Sequence, residues 1–229
     1  MKRLKVFRTE SEEMQSLKAH MQAPNLTIIE AGCGRRWPKE LANPTATVIG
    51  IDTDPAALAL RTDLSEKILD DIRTAQGPTG GADVVYSSFV LEHVQDASKA
   101  LDNFVRWLKP GGTILLRVPD RDSVWGAGTR LTPLWFHVLW QRWVMGYRPA
   151  GTPGYGPYPT YHEPVISRAG IREFCEAHNC WLIEENGVAM HLQQNKWIML
   201  PISLAGWLLS FGRLAWRHSN LQFTIRKLS

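Results

Sequence analysis

Ile28-Ile29-Glu30-Ala31-Gly32-Cys33-Gly34, followed by Val48-Ile49-Gly50-Ile51-Asp52, is the part of the chain that decides the fold. In the first stretch apolar residues run into an acid and then a Gly-x-Gly turn. In the second a similar run ends on another acid. The ends of adjacent parallel strands in an alternating α/β sheet face one crevice. A turn at that crevice needs glycine, because a Cβ would block the backbone from a ligand. An acid at the neighbouring strand end can accept hydrogen bonds from both hydroxyls of a ribose. Together the two stretches read as a site for an adenosine-containing cofactor.

A dinucleotide site wants a third glycine where the helix begins, so that a pyrophosphate can sit on the helix N-terminus. The chain has Gly34-Arg35-Arg36-Trp37-Pro38 there. Arg36 and Trp37 in that turn argue against a nicotinamide cofactor and for a ligand without a pyrophosphate.

Four motifs in order then carry a resemblance. Glu30-Ala31-Gly32-Cys33-Gly34 resembles the E/D-x-G-C-G motif of class I S-adenosylmethionine-dependent methyltransferases. Gly50-Ile51-Asp52-Thr53-Asp54-Pro55 is similar to that family's ribose-binding strand end. Ala82 to Val94 looks like its fourth strand and following loop, and Ala100 to Thr113 like the next helix and the turn into the fifth strand. The resemblance covers residues 26–120. It implies a Rossmann-like α/β fold, a seven-stranded mostly parallel sheet with the last strand reversed and helices on both faces.

It also implies roles. Gly32 and Gly34 let the backbone approach S-adenosylmethionine, with Cys33 as a small filler between them. Asp52 and Thr53 stand at the ribose. Glu30 sits near the ammonium of the methionine part. Ser87, Ser88 and Phe89 border the sulfonium. Asp71 falls where the family places an acid near the adenine amino group, with Asp70 as the neighbouring candidate; the bland alternative is a solvated strand end.

An oxygen acceptor loses a proton during attack, so a base helps. His93 is the first candidate, since histidine titrates near neutrality. Its structural alternative is a helix-start residue with a hydrogen bond. His162, oriented by Glu163 at the end of a Gly/Pro/Tyr-rich run, is the second candidate, or else a loop anchor. His137 and His191 are weaker options. Glu92-His93 also resembles a quinone-biosynthesis O-methyltransferase subgroup in which this pair contributes to a metal site. Phe89 occupies the place of a further acid in that pattern, which leaves a divalent metal unsupported.

Along the rest of the chain, helical spacing predicts a helix over 11–22, with Met14, Leu17 and Met21 on one face. Strands are expected over Thr27–Ala31, Thr47–Asp52, Lys67–Asp71, Ala82–Ser88, Thr113–Val118, Cys180–Val188 and Leu221–Lys227, the last antiparallel. Pro55 opens a short helix. Ser98 is the expected cap of a helix carrying Leu101, Phe104, Val105 and Leu108, and Ser167 of one carrying Ile171, Phe174, Cys175 and His178.

Residues 120–165 and 189–220 stand outside that minimal sheet. They hold Trp125, Trp135, Trp140, Trp143, Trp197, Trp207 and Trp216. Insertions after the fifth strand open on the ligand side. The expectation is therefore an aromatic-rich cap over the acceptor, the second insertion packing beside the first. The stretch Trp197–Gly212, apolar but for Pro201 and followed by Arg213 and Arg217, is too short to span a bilayer at ~20 residues. It either lies in a membrane interface or is buried under the cap or in a homodimer interface.

The 229 residues suit one domain spanning 1–229, with residues 26–119 as the cofactor-binding half. The three cysteines, Cys33, Cys175 and Cys180, have no metal spacing and suit a reducing compartment. No long apolar leader follows Met1. The expectation is a cytoplasmic protein, peripheral to a membrane at most. A net charge of +4 without a dense basic stripe argues against a nucleic-acid partner. The favoured acceptor is a hydroxyl of a sugar, polysaccharide or glycolipid. A hydroxyl of a lipophilic quinone or polyketide is the alternative, and a nitrogen acceptor stays open. A module that keeps the fold and the cofactor without turnover is the third reading.

Overall fold

Ile28 and Ile29 point to opposite sides of one strand, and that alternation builds two cores. The computed structural model describes residues 4–152, 155–189 and 196–228. On one face of the sheet Ile28, Val84, Tyr86 and Leu115 pack with Leu17 and Met21 of helix α1 (Glu10–Lys18) and the residues just after it. On the other face Ile29, Val85, Ile114 and Leu116 pack under α3 (Ala97–Trp107) and α6 (Arg168–Ala177). The second core is the larger. Leu101, Phe104 and Trp107 of α3 are fully buried in it. Truncating Phe104 to alanine there costs about 3–5 kcal/mol, the usual range for a buried phenylalanine.

The strands are β1 (Lys5–Phe7), β2 (Thr27–Ala31), β3 (Thr47–Asp52), β4 (Glu66–Leu69), β5 (Ala82–Ser88), β6 (Leu108–Pro119), β7 (Cys180–Val188) and β8 (Asn220–Lys227). They form one sheet in the order β1-β7-β8-β6-β5-β2-β3-β4, with β8 antiparallel to both neighbours. The sheet therefore has eight strands where seven were expected. The addition, β1, is three residues long and pairs parallel with β7. A strand that short carries too little alternation to be seen in sequence.

From β2 the chain moves outward to β3 and β4, then returns to β5 on the other side of β2. The order reverses between β2 and β5, and the crevice at their carboxyl ends is where an open α/β sheet binds its ligand.

Two helix starts differ in their caps. Ser167 Oγ accepts from Gly170 N–H at 3.1 Å, as its position predicts. Ser98 does not cap α3. Residue Asp96 precedes that helix in a left-handed conformation, and the Glu163 carboxylate accepts from the N–H groups of Asp96 and Ala97 at 2.7 and 2.8 Å. A cap supplied from so far along the chain leaves no local signature.

The first insertion forms α4 (Val124–Leu131), α5 (Leu134–Leu139) and a π-helical turn, Trp140–Val144. The second forms α7 (Lys196–Leu209). They pack together through α4: Trp125 Nε1 donates to Ser203 Oγ at 2.9 Å, and its ring lies 6.4 Å from that of Trp140.

Candidate active site

At the carboxyl ends of β2, β3 and β5 the sheet opens into a cleft of about 900 Å³. That volume is within the ~300–1,000 Å³ of typical ligand sites. Gly32 and Gly34 bend the chain there with φ of +74° and +52°. A Cβ on Gly32 would lie 2.4 Å from the Val90 side chain, while nothing lies within 4 Å of one on Gly34. Gly34 lines the cleft, so a side chain there would take space that a ligand can use.

The turn is tied on three sides. The N–H groups of Gly32 and Cys33 donate to the Ile51 carbonyl at 2.8 and 3.1 Å. Gly34 N–H donates to Asp52 Oδ2 at 2.7 Å. Arg61 Nη1 donates to the Cys33 carbonyl at 2.5 Å. Asp52 Oδ1 accepts from Asp54 N–H at 2.8 Å. Each Asp52 oxygen has a second lone pair, so the carboxylate can hold the turn and still accept from a hydroxyl. Burial pushes the Cys33 thiol up to about 12, which suits a filler and not a nucleophile.

Arg61 was not foreseen. It follows α2 (Pro55–Leu60) and is 1% exposed. It donates from Nη2 to Glu30 Oε2 at 2.6 Å, and from Nε and Nη2 to Asp63 at 2.8 Å each. Glu30 lines the cleft, but its carboxylate is already paired. Burial pushes the Glu30 carboxyl up to about 8, against the pull of the guanidinium. The one signal in the sequence was Arg61 and Asp63 closing an otherwise apolar helix.

At the end of β4, Arg73 grips Asp71 through Nε and Nη2. Its hydrogen bonds hold the Asp71 carboxyl below the usual range. Asp70 Oδ1 accepts from Asp71 N–H at 2.7 Å and from the Thr74 hydroxyl at 3.3 Å. Thr53, Asp70 and Asp71 all line the cleft.

Ser88 and Phe89 line the cleft after β5, but Ser87 is fully buried behind them and does not. Strand alternation turns Ser87 into the sheet. Arg117 backs this corner. Its guanidinium lies 4.9 Å from the centre of the Phe89 ring, and its Nε donates to the buried Glu13 at 2.7 Å.

His93 lines the cleft at the end of the turn Leu91–His93. Its Nδ1 is 2.7 Å from the Pro159 carbonyl, which can only accept. The neutral ring therefore carries its proton on Nδ1 and its lone pair on Nε2. Burial keeps its pKa below the ordinary 6.5. Tyr158 stands edge-on to the ring at 5.8 Å, and Tyr161 N–H donates to the Glu92 carbonyl at 2.7 Å. Glu92 is 3% exposed, with Oε1 3.8 Å from His93 Nε2 and Oε2 unpartnered. Burial pushes its carboxyl up to about 8.

The expected group around His162 does not assemble. His162 is buried and does not line the cleft; Nε2 is 3.3 Å from Thr129 Oγ1, and its carbonyl accepts from Arg121. Burial, then the charges of Arg130 and Arg121, push its pKa down to about 4. Glu163 cannot orient it while capping α3. His137 bonds Thr132 at 2.7 Å on the first insertion, away from the cleft. His191 lies outside the described residues. Of the described part of the insertions, only Tyr158, Pro159 and Tyr161 reach the cleft, and no tryptophan does. The aromatic cap is thus a tyrosine edge, while the tryptophans join α4, α5 and α7. Among the described residues no three His, Cys, Asp or Glu gather as a metal site. A buried pair, His218 Nε2 to Asp120 Oδ2 at 2.8 Å, ties β6 to the start of β8 and had no sequence signal.

A family model described as a methyltransferase domain matches residues 6–185. The chain belongs to the class I S-adenosylmethionine-dependent methyltransferases. One relative of the chain, from Mycolicibacterium smegmatis, bears the name "Probable S-adenosylmethionine-dependent methyltransferase". It is 33% identical over 119 residues, which are 48% of this chain and 44% of that protein. The chain thus spans less than half the length of that curated relative. A ubiquinone biosynthesis O-methyltransferase from Cereibacter sphaeroides is 28% identical over 167 residues, 69% of this chain and 64% of that one. The solved structure of an S-adenosylmethionine-dependent methyltransferase from Mesorhizobium loti shares the fold, with a TM-score of 0.58 at 15% identity over 95% of this chain and 97% of that one. The glycine cradle, which a Cβ on Gly34 would enter, and the Asp52 carboxylate fit the cofactor that the family uses.

Proposed function

We propose that this methyltransferase methylates a hydroxyl, and that the acceptor is a ring hydroxyl of a lipophilic quinone or polyketide. The observation that carries the reading is His93, pinned through Nδ1 so that Nε2 is the basic atom at the cleft wall. Bound S-adenosylmethionine supplies a methyl group already activated by its sulfonium. The chain's work is then placement and proton removal. Gly32, Gly34, Asp52 and Thr53 hold the nucleoside. Asp70 takes the adenine amino group, because Asp71 is already gripped by Arg73. Glu30, held by Arg61, with Cys33, backs the methionine end. Ser88 and Phe89 border the sulfonium, with Ser87 supporting them from within the sheet.

A base with a lowered pKa removes a proton more readily from a phenol, near 10, than from a sugar hydroxyl. Tyr158 and Tyr161 line the cleft and supply rings that an aromatic acceptor can pack on, and the similarity to a ubiquinone biosynthesis O-methyltransferase points the same way. The sugar or glycolipid hydroxyl is the second reading, since tyrosine faces also stack on sugars. The test is S-adenosylhomocysteine release with dihydroxyphenyl acceptors and with sugars, using the parent and His93→Gln. Turnover on the phenols that collapses in the variant supports the proposal. Turnover on sugars alone overturns the acceptor class. Cofactor binding with no turnover on either panel favours a non-catalytic module.

A further inference from the structure

The two insertions expose apolar side chains with cations among them, and we propose that they dock on an anionic lipid bilayer. Along α7 and the turn after it, Leu200, Leu204, Leu208 and Phe211 recur at helical spacing. They are 50%, 42%, 59% and 93% exposed. On α5 and its π-helical turn, Trp135, Leu139 and Trp143 fall on one face at 63%, 45% and 82% exposure. Side chains of this size cost free energy when left in water, and their accumulation on two helices packed against α4 marks an interaction surface.

Charge selects the occupant. From Ser123 to His162 the sequence has no Asp or Glu, and none follows Glu185. The charged side chains of α4, the π-helical turn and the segments after it and after α7 are cations, Arg130, Arg142, Arg148, Arg213 and Arg217, and the one neighbouring acid, Asp122 before α4, lies 3.9 Å from Arg121. Apolar side chains among an excess of cations match a bilayer whose headgroups are negative, where each nearby cation adds attraction. A second copy of the chain fits worse. A two-fold pairing of these insertions sets an excess of arginines against arginines.

Length sets the mode of contact. The 14 residues of α7 rise about 21 Å, short of the ~30 Å hydrocarbon layer. Among the described residues no helix is long and apolar enough to cross a membrane. The helix therefore lies in the plane of the interface. A second cleft, of about 460 Å³, lies between β1 and α7. Leu4, Val6, Leu200 and Trp216 line it together with Arg8 and Arg217, and Arg217 lies 5.2 Å from the Trp216 ring. Apolar walls with two guanidiniums suit a lipid phosphate and the start of its acyl chains. The proposal holds whether or not the methyl acceptor is itself a lipid.

The test is flotation of the full chain with vesicles of phosphatidylcholine alone and of phosphatidylcholine mixed with phosphatidylglycerol. The protein is expected to float with the mixed vesicles at low salt, at least about tenfold more than with the neutral ones, and less as salt rises. Leu204→Asp with Leu208→Asp should lower that binding about tenfold or more, while S-adenosylhomocysteine affinity and the melting curve stay at parent values. Should that variant misfold, Arg213→Glu with Arg217→Glu gives a second reading, with the same loss expected. A chain that stays at the bottom with anionic vesicles overturns the proposal. So does a dimer, seen by light scattering, that the aspartates dissociate while the parent chain binds no vesicles. Unchanged flotation of the folded variants overturns it equally.

Discussion

Arg61→Met removes four hydrogen bonds from one buried guanidinium, two to Asp63 and one each to Glu30 and the Cys33 carbonyl. Deleting one partner of a buried ion pair costs about 3–5 kcal/mol, because the other charge is left without compensation. Two features place this site at the lower end. The Asp63 side chain is 44% exposed and returns to water. Glu30, whose carboxyl burial already pushes up to about 8, takes a proton near neutrality and stops being a buried charge. The expected loss at pH 7 is ~3 kcal/mol by urea unfolding. Its pH dependence has a definite sign. Unfolded Glu30 titrates near its ordinary value of 4.5, and in the folded variant the carboxyl should titrate above the parent's value of about 8. The folded variant therefore holds a proton that the unfolded chain has released, and its deficit widens as pH rises toward and past 8. Adding Glu30→Gln removes the stranded acid and should return stability to within about 1 kcal/mol of the parent. A deficit under about 1 kcal/mol that is flat with pH, or a double variant no better than the single, would refute the reasoning. S-adenosylhomocysteine affinity should also fall in Arg61→Met, since the Cys33 carbonyl loses its tether.

The other predictions follow from the same kind of accounting. Burial pushes the Glu92 carboxyl from its ordinary 4.5 up to about 8, so its contribution to stability declines as pH climbs between those values. Glu92→Gln should flatten that decline and be more stable than the parent at pH 8 by on the order of a few kcal/mol, at ~1.4 kcal/mol per pKa unit; equal melting curves at pH 5 and pH 8 in both proteins would count against it. His93 is held below 6.5 by burial, so methyl transfer should persist below pH 6.5 and fail only in more acid buffer. In His93→Gln that acid limb should vanish along with most of the turnover; a parent-like profile would move the base elsewhere. Glu163→Ala frees two N–H groups at the start of α3 and should cost ~1–2 kcal/mol of stability without altering cofactor affinity, read by thermal melts and calorimetry.

Legibility in the sequence followed the range of the forces involved. The adjacency of β2 and β3, the glycine bend and the acid that ends β3 are set by near neighbours and by alternation, so they could be read directly. Gly34 and Asp52 stand one above the other because their strands are adjacent in a parallel sheet. What escaped is made by side chains far apart in sequence. Glu163 capping α3, Arg61 under Glu30, Arg117 on Glu13 and His218 on Asp120 each join segments that no local pattern links. His162 and Glu163 were paired because they are neighbours in sequence. In the fold their side chains diverge, one into the first insertion and one to a helix start. The cap failed for a related reason. Tryptophan content says that a segment seeks contact, not whether it finds that contact at a ligand, on another helix or on a surface outside the chain.

We propose that the Gly32–Gly34 bend and the Asp52 carboxylate together form the cofactor site. Calorimetric titration of S-adenosylhomocysteine into the parent and into Asp52→Ala tests it most directly. One molecule should bind per chain, with an affinity lower in the variant by about 1–3 kcal/mol, the worth of charge-assisted hydrogen bonds to a ribose. Equal affinity in the two proteins, or binding of NAD with none of S-adenosylhomocysteine, would contradict it.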